Sequence, residues 1–278
     1  MEPVRILTFA SSATATESCR GQVVVSGSYG GEYNAWHAAK WGIRGVVLND
    51  AGVGLNGAGI SGLAYLDRIG LPAATADANT CHIADGEHML ARGIISHVNA
   101  AAAAAGCRVG QTVHACAQRM TACPVVTRQP PPIGGGKRYT IHDEPGQRKV
   151  ICLDAAPMLE PADAGAIAVT GSHAALFRGQ PDGLISPDVH AVFFSDAGVG
   201  LDEAGIARLP LLDVRGIAAG TVSAASAPIG DSRAILAKGI LSHVNRTAHA
   251  LGAAPGQPLR DFVDRLLAAG PAFQGPRT

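Results

Sequence analysis

The residues best suited to chemistry lie in one short stretch, NTCHIADGEH, at positions 79–88. It contains Cys81, His82, Asp85, Glu87 and His88, whose side chains can serve as nucleophile, base or metal ligand. A cysteine in a loop just before a helix can have a lowered pKa, and a neighbouring histidine can activate it. We therefore predict Cys81 and His82 as catalytic residues.

Two other interpretations of this stretch stay open. His82, Asp85 and His88 are spaced at three residues and could approach one divalent metal ion, although a helix would spread them over about a third of its circumference. Alternatively, Asp85 only caps the helix that follows, and Cys81 only packs as a small residue. We predict no cofactor, with the metal ion as the alternative.

A glycine-rich phrase occurs twice, as NDAGVGLNGAGI at 49–60 and SDAGVGLDEAGI at 195–206. Asp50 and Asp196 have the same place in the two copies, each at the end of an apolar run typical of a strand. Glycines after a strand allow a tight turn and a close approach to a ligand, an anion in particular. We therefore predict Asp50 as a third catalytic residue; the alternative is that the glycines and aspartates only build a turn from strand to helix. GVGLNG also fits a dinucleotide-binding pattern, with Asp77 placed for a ribose contact, but the second copy does not keep it.

The other predicted site residues lie in loops that would share one edge of a sheet. Ligands bind outside the carboxyl ends of parallel strands, where loops and helix N-termini converge. On this basis we predict substrate binding by Ser28, Tyr29, Gly30, Gly52, Gly54, Asp77, Asn79, Thr80 and His173. The motif SHVN, at 96–99 and 242–245, adds His97 and His243, either as reserve general bases or as hydrogen-bonding residues at the border of a helix.

An internal duplication must position these residues. Residues 5–28 align with 149–172 at an offset of 144, which becomes 146 from DAGVGL to SHVN. Within each copy, short apolar runs alternate with helical patterns, which predicts βαβ units. We predict an α/β fold of two tandem, pseudo-symmetric βαβ-type repeats with parallel sheets. The first spans 1–126, with its core at 5–111, and the second spans 149–278.

Three further segments complete the predicted fold. The proline- and glycine-rich residues 127–148 predict a linker or an exposed arm. After Asp85 and Asp231, apolar residues recur at intervals of three and four, which predicts one long helix in each copy, capped by that aspartate. A C-terminal helix is predicted from the apolar face of Leu259, Phe262, Val263, Leu266 and Leu267.

Composition narrows the classes of function. Of 278 residues, 47% are hydrophobic and 16% charged, with zero formal net charge, which favours a compact protein over a disordered one. The balanced charge and the 4% aromatic content argue against nucleic acid as a partner. No apolar run reaches the roughly 20 residues of a membrane span, and no signal-peptide pattern begins the sequence. We therefore expect a cytoplasmic protein with no membrane partner and with reduced cysteines; its abundant Arg, Ala and Gly suggest a bacterial source.

Polar residues crowd the predicted ligand edge of the first copy only. Tyr29, Asp77, Cys81 and His82 are matched in the second copy mostly by small or apolar residues. This asymmetry favours an enzyme, and we predict a hydrolase that cleaves an amide or ester bond of a small polar metabolite at the strand ends of the first repeat. The alternative is a protein of the same fold that binds a small anion or metabolite without chemistry. A homo-oligomer is compatible with either function.

Overall fold

The computed structural model describes residues 3–181 and 185–270. The chain divides into two compact units whose boundaries differ from those of the repeats. The first unit consists of Met1–Gly135 together with two segments of the second repeat, Ala175–Asp182 and Ala197–Gly205. Residues 197–205 of the second repeat's glycine-rich phrase therefore belong to the first unit.

A five-stranded sheet is formed by the described residues of the first unit. Its strands, in spatial order, are β1 (Ile6–Phe9), β2 (Val23–Tyr29), β3 (Gly45–Asn49), β4 (Ala73–Ala76) and β5 (Ile95–Val98). The first four strands are parallel, and β5 pairs antiparallel with β4. The predicted parallel βα repeat is thus confirmed, with one antiparallel strand added at its edge.

Helices cover both faces of this sheet. They are α1 (Glu32–Ala39), α2 (Ser61–Asp67), α3 (Gly86–Arg92), α4 (Ala100–Ala104) and α5 (Val113–Met120). Because side chains alternate along a strand, Val24 packs with α1 and α2, whereas Val23 and Val25 pack with α3 and α5 on the other face. Burial on both faces explains why β2 begins with three consecutive valines.

The described residues of the second unit form a six-stranded sheet. Its strands lie side by side in the same order as in the chain. They are β6 (Arg138–His142), β7 (Val150–Leu153), β8 (Ile167–His173), β9 (Ala191–Ser195), β10 (Ala218–Val222) and β11 (Leu241–Val244). β7 to β10 are parallel, and both edge strands are antiparallel. The helices are α6 (Leu209–Val214), α7 (Ser232–Lys238), α8 (Arg246–Ala250) and α9 (Leu259–Ala268).

The C-terminal helix is confirmed, and it belongs to the repeat. In α9, Leu259, Phe262, Val263 and Leu266 are buried in the core of the second unit. Helix α5 has the same place in the first repeat, since the bridge between Ile94 and Thr112 recurs between Ile240 and Pro258. The duplicated structure therefore extends beyond residue 111 in the first copy.

The long helix predicted after Asp85 and Asp231 is wrong. In each copy the segment forms a short helix, a four-residue strand and a second short helix. The break begins at Gly93 and Gly239, whose backbones are extended with ψ of 144° and 135°. SHVN therefore lies on β5 and β11 with its asparagine just after the strand, and His97 and His243 are strand residues rather than helix-border residues.

The asparagine of each SHVN motif lies between the four-residue strand and the second short helix of its copy. Asn99 Oδ1 accepts hydrogen bonds from Ala102 N, at the start of α4, and from Ala73 N, at the start of β4. Its amide also donates to Leu71 O at 2.8 Å. Asn245 repeats these contacts in the second unit. A side chain that caps a helix in this way competes with a continuous helix.

The segment predicted as a linker or arm also contributes the edge strand β6. Its Arg138 donates to both carboxylate oxygens of Asp163, a residue with 0% exposure. Lys149 lies 3.7 Å from the same carboxylate. These contacts hold β6 on the edge of β7. Among the helices of the described residues, none is long and apolar enough to cross a membrane.

Candidate functional site

The glycine-rich phrase forms the same strained turn in both copies. Residues 51–54 have φ of 48°, 69°, 64° and 70°, and residues 197–200 have φ of 48°, 74°, 64° and 75°. Val53 lies at the centre of a γ-turn, since Gly54 N donates to Gly52 O at 2.7 Å. A β-branched residue rarely adopts a left-handed backbone, and such a residue persists only where its surroundings enforce it.

The N–H groups of this turn have partners within the phrase itself. In the first copy Ala51 donates to Asn49 Oδ1 at 2.9 Å, Gly52 to Asp50 Oδ1 at 3.0 Å, Val53 to Asp50 O at 2.7 Å and Gly54 to Gly52 O at 2.7 Å. An anion site in a turn requires N–H groups that point at the anion. The geometry therefore supports a structural turn over an anion site.

Asp50 connects this turn to the loop that follows β4. Its Oδ1 accepts a second hydrogen bond from Ala78 N at 3.0 Å, and the side chain is buried. Asp196 Oδ1 accepts the matching bond from Ala224 N at 2.9 Å. Only Asp50 was predicted as catalytic, yet both aspartates make the same contact, which supports a positional role for both.

Close packing explains one glycine of the phrase. Gly52 and Gly198 approach so closely that a Cβ on Gly52 would lie 2.8 Å from Gly198 Cα, and a Cβ on Gly198 would lie 2.7 Å from Gly52 Cα. Both residues also have left-handed backbones. Only glycine fits this contact within the first unit, because the obstructing atoms are backbone atoms.

Cys81 lies inside the first unit with 0% exposure. Its thiol donates to Asp77 O at 3.5 Å and accepts from Asn49 Nδ2 at 3.7 Å. Burial raises the pKa of the Cys81 thiol to about 12, which is opposite to the lowering that the sequence suggested. A buried, protonated thiol packs as a small apolar group.

Asp77, Asn79 and Thr80 hold the backbone of the Cys81 loop. Asp77 Oδ1 accepts from Asn79 N at 2.8 Å, and Thr80 Oγ1 donates to Asp77 O at 2.8 Å. Thr80 Oγ1 also accepts from Ile94 N at 3.0 Å. These predicted binding residues are thus placed together, and the hydrogen bonds between them form the loop.

Ser28, Tyr29 and Gly30 end β2 at the same edge of the sheet. Ser28 Oγ accepts from Ser12 N at 2.9 Å, as Ser172 Oγ does from Ala156 N in the second unit. Asn34 Nδ2 donates to Tyr29 O at 3.0 Å. A Cβ on Gly30 would lie 2.6 Å from Gly59 O, so this glycine serves close packing.

His173 ends β8 and belongs to the second unit. It is buried, and burial together with the positive charge of Arg208 lowers the pKa of His173 to about 3. The imidazole is therefore neutral at physiological pH. Arg208 is also buried, and its guanidinium lies 5.4 Å from the centre of the Phe194 ring.

His82 has a carboxylate partner that the sequence did not reveal. Its Nε2 lies 2.8 Å from Asp202 Oδ2, and the two side chains are 30% and 70% exposed. The His82 ring stacks on His88, with centroids 3.9 Å apart and planes at 2°. His88 Nδ1 accepts a hydrogen bond from His82 N at 3.1 Å. Burial, followed by the charge of His82, lowers the pKa of His88.

Two further charges flank this loop. Arg178 N donates to Ala84 O at 3.0 Å, and the Arg178 guanidinium lies 3.7 Å from Glu87. Asp85 caps α3 as predicted, since its Oδ1 accepts from His88 N at 2.9 Å. Across residues 3–181 and 185–270, no three His, Cys, Asp or Glu side chains are arranged to hold a metal ion.

We call the group of His82, His88, Asp202, Arg178 and Glu87 the His82 cluster. The sequence predicted His82 as catalytic and His88 only as an alternative metal ligand, and it did not reveal Asp202, which lies 120 residues from His82. A comparison of the two copies could have indicated both residues, because Asp202 corresponds to Asn56 and His82 corresponds to Pro228. Comparison with family models, curated proteins and solved structures finds no match to this chain.

Proposed function

We propose that this protein is a hydrolase of a small polar substrate with an ester or amide bond, and that His82 is its general base. The hydrogen bond between His82 Nε2 and Asp202 Oδ2 carries the proposal. A carboxylate that accepts from one ring nitrogen selects the tautomer whose other nitrogen, here Nδ1, is a proton acceptor. Partial exposure of His82 leaves the ring open to water and to a substrate.

Water is the nucleophile in this proposal. The raised pKa of Cys81 keeps its thiol protonated, and Asp50 already accepts two backbone hydrogen bonds. His82 Nδ1 takes a proton from water while the water oxygen bonds to the carbonyl carbon. The C–O or C–N bond then breaks, and the imidazolium returns the proton to the leaving oxygen or nitrogen.

The neighbours of His82 support this role. Stacked His88 has a lowered pKa and stays neutral near pH 7, so it places no second positive charge against the ring that must gain a proton. Arg178 and Glu87 provide opposite charges beside the same loop, surroundings that suit a polar substrate.

Backbone strain at Glu203, the residue after Asp202, is a second argument. Asp202 and Glu203 have φ of 52° and 56°, where the first copy has Asn56 and Gly57, residue types that adopt a left-handed backbone readily. Replacing glycine by glutamate at such a position costs about 1 kcal/mol or more. Strain of this kind clusters at functional sites. The alternative of a non-catalytic anion-binding protein has less support, because the glycine turn uses its N–H donors internally.

The test measures hydrolysis of 4-nitrophenyl acetate and of N-acetyl amino acids by the full chain. We expect His82→Gln to lower kcat/KM by about 10²- to 10⁴-fold, the usual contribution of a general base, and Asp202→Asn to lower it less.

Two matched variants control for other effects. His114→Gln removes an exposed histidine and should leave the rate unchanged, which excludes unspecific ester cleavage by surface imidazoles. Asn56→Asp places a carboxylate on the equivalent turn of the first copy and should also have no effect. A chain that hydrolyses neither substrate class, or a His82→Gln variant with the wild-type rate, would refute the proposal.

A further inference from the structure

We propose that two copies of this chain associate through the β1 edges of their first sheets, which pair antiparallel across a two-fold axis. The proposal is independent of the hydrolase function. It starts from a difference between the two sheets: the edge strand β7 of the second repeat is covered by β6, whereas its counterpart β1 is the last strand of the first sheet.

The outward backbone groups of β1 follow from its register. Ile6 lies opposite Val23, and Val23 N donates to Arg5 O at 3.0 Å. In a parallel ladder the bonding residues alternate, so Arg5 and Leu7 face β2, and the N–H and C=O groups of Ile6 and Thr8 face away from it. Within the described residues, no hydrogen bond reaches these outward groups.

The other sheet edges are protected. Beside β5, Ile95 N donates to Gln111 O at 2.8 Å, and beside β11, Leu241 N donates to Gln257 O at 2.9 Å. The edge strand β6 carries Arg138 and His142, and charged or polar residues discourage pairing. In contrast, β1 reads ILTF, without charge or proline. An uncharged edge with unpaired backbone groups favours the addition of a strand.

The second repeat shows which kind of strand this edge accepts. β6 runs antiparallel to β7, with Tyr139 opposite Cys152, the counterpart of Thr8. A buried ion pair between Arg138 and Asp163 holds β6 in place, and the counterpart of Asp163 in the first repeat is the uncharged Cys19. The first repeat therefore lacks the residue that would anchor a strand from its own chain.

A second copy provides an antiparallel strand of matching length. With Leu7 on the two-fold axis, Ile6 pairs with Thr8 of the partner and Thr8 with Ile6, giving four backbone hydrogen bonds. This contact is isologous and closed, so it yields a dimer rather than a filament.

The test is the mass of the purified chain in solution, by light scattering and sedimentation over a range of concentrations. We expect the wild-type chain and Thr8→Ala at twice 28.2 kDa, and Thr8→Pro at 28.2 kDa with its melting temperature nearly unchanged. Proline removes only an outward N–H at this position. The matched variant Cys152→Pro should instead destabilise the fold, because its N–H faces β6.

Two further measurements identify the edge. Leu7→Cys should give a covalent dimer under mild oxidation, because residues at such an axis face each other at about 4.5 Å; the wild-type control should not, since all its cysteines are buried. The Ile6 amide should exchange slowly in the wild-type chain and rapidly in Thr8→Pro. If Thr8→Pro does not fold, the Leu7→Cys cross-link alone shows whether two β1 strands pair.

Three results would overturn the proposal. These are a wild-type chain at monomer mass at every concentration, a folded Thr8→Pro variant that keeps the dimer mass, and a Leu7→Cys variant that does not cross-link. A monomer whose Ile6 amide is protected would also refute it, because another part of the chain would then cover the edge.

Discussion

The aspartates of the two glycine-rich phrases accept the same backbone hydrogen bond, whereas the loops that follow β4 and β10 differ in the polar side chains they expose. Asp50 and Asp196 each accept a hydrogen bond from the backbone N–H 28 residues later. In contrast, His82 is hydrogen-bonded to Asp202. His82 corresponds to Pro228 in the second copy, and Asp202 corresponds to Asn56 in the first. The shared aspartates thus bind backbone groups, whereas His82 and Asp202, which the copies do not share, form part of the exposed His82 cluster.

This difference teaches how to interpret an internal duplication. Asn99 and Asn245, like Asp85 and Asp231, cap equivalent helices, and each pair is kept because both repeats need the same helix start. The unshared pairs include Asp163 with Cys19, and they mark what each repeat does alone. Three sets of variants test this distinction, beginning with the one for which we expect the largest effect.

Asp163→Asn should destabilise the second unit most. It leaves the Arg138 charge beside a residue with 0% exposure, and breaking a buried ion pair costs about 3 to 5 kcal/mol. The measurement is urea unfolding at pH 7. The control Asp188→Asn removes a pair with Arg215 in which Asp188 is 70% exposed, and should change the free energy of unfolding by less than about 1 kcal/mol. Equal losses would show that the ion pair does not anchor β6.

The same variant should change the acid sensitivity. Hydrogen bonds from Arg138 hold the pKa of Asp163 below its ordinary value, so the carboxylate stabilises the fold above about pH 4 and loses this effect as the pH falls through the lowered pKa. The free-energy difference between wild type and Asp163→Asn should therefore shrink in acid. A difference that stays constant down to the lowest pH would contradict this assignment.

Gly52→Ala should have the next largest effect. Its Cβ would meet Gly198 Cα at 2.8 Å and would also sit on a left-handed backbone, for which we expect a loss of roughly 2 to 4 kcal/mol. Gly70→Ala is the matched control, because Gly70 has φ of +72° and no atom within 4 Å of an added Cβ. It should lose only about 1 to 2 kcal/mol. Thermal unfolding that is the same for both variants would rule out the Gly52–Gly198 contact as a packing constraint.

Asp50→Asn and Asp196→Asn should have the smallest effects, and these should be equal. Each variant keeps an oxygen acceptor but removes the charge that strengthens its hydrogen bonds, so we expect about 1 kcal/mol of lost stability in both. The measurement is urea unfolding, together with the rate of ester hydrolysis. If Asp50→Asn abolished hydrolysis without a loss of stability, Asp50 would belong to the catalytic site and the two copies would differ here as well.

Much of the fold could be predicted, and its one clear failure has a physical cause. The strands and helices from β2 to β4 could be predicted because the spacing of apolar residues in each segment is typical of its structure. The predicted long helix was wrong because β5 and β11 have only four residues, too few for alternation to differ from a helical period. Their pairing with β4 and β10, and the caps of Asn99 and Asn245, decided between the two structures.

By itself the sequence determined the two repeats, the order of strands and helices from β2 to β4, the caps at Asp85 and Asp231, and the buried face of α9, because each depends on neighbouring residues in the chain. Only the tertiary structure placed Asp202 beside His82 and enclosed Cys81 in the core. The partner of a base and the pKa of a thiol depend on distances in space and on exclusion of water. Those quantities arise only when segments distant in the sequence pack together.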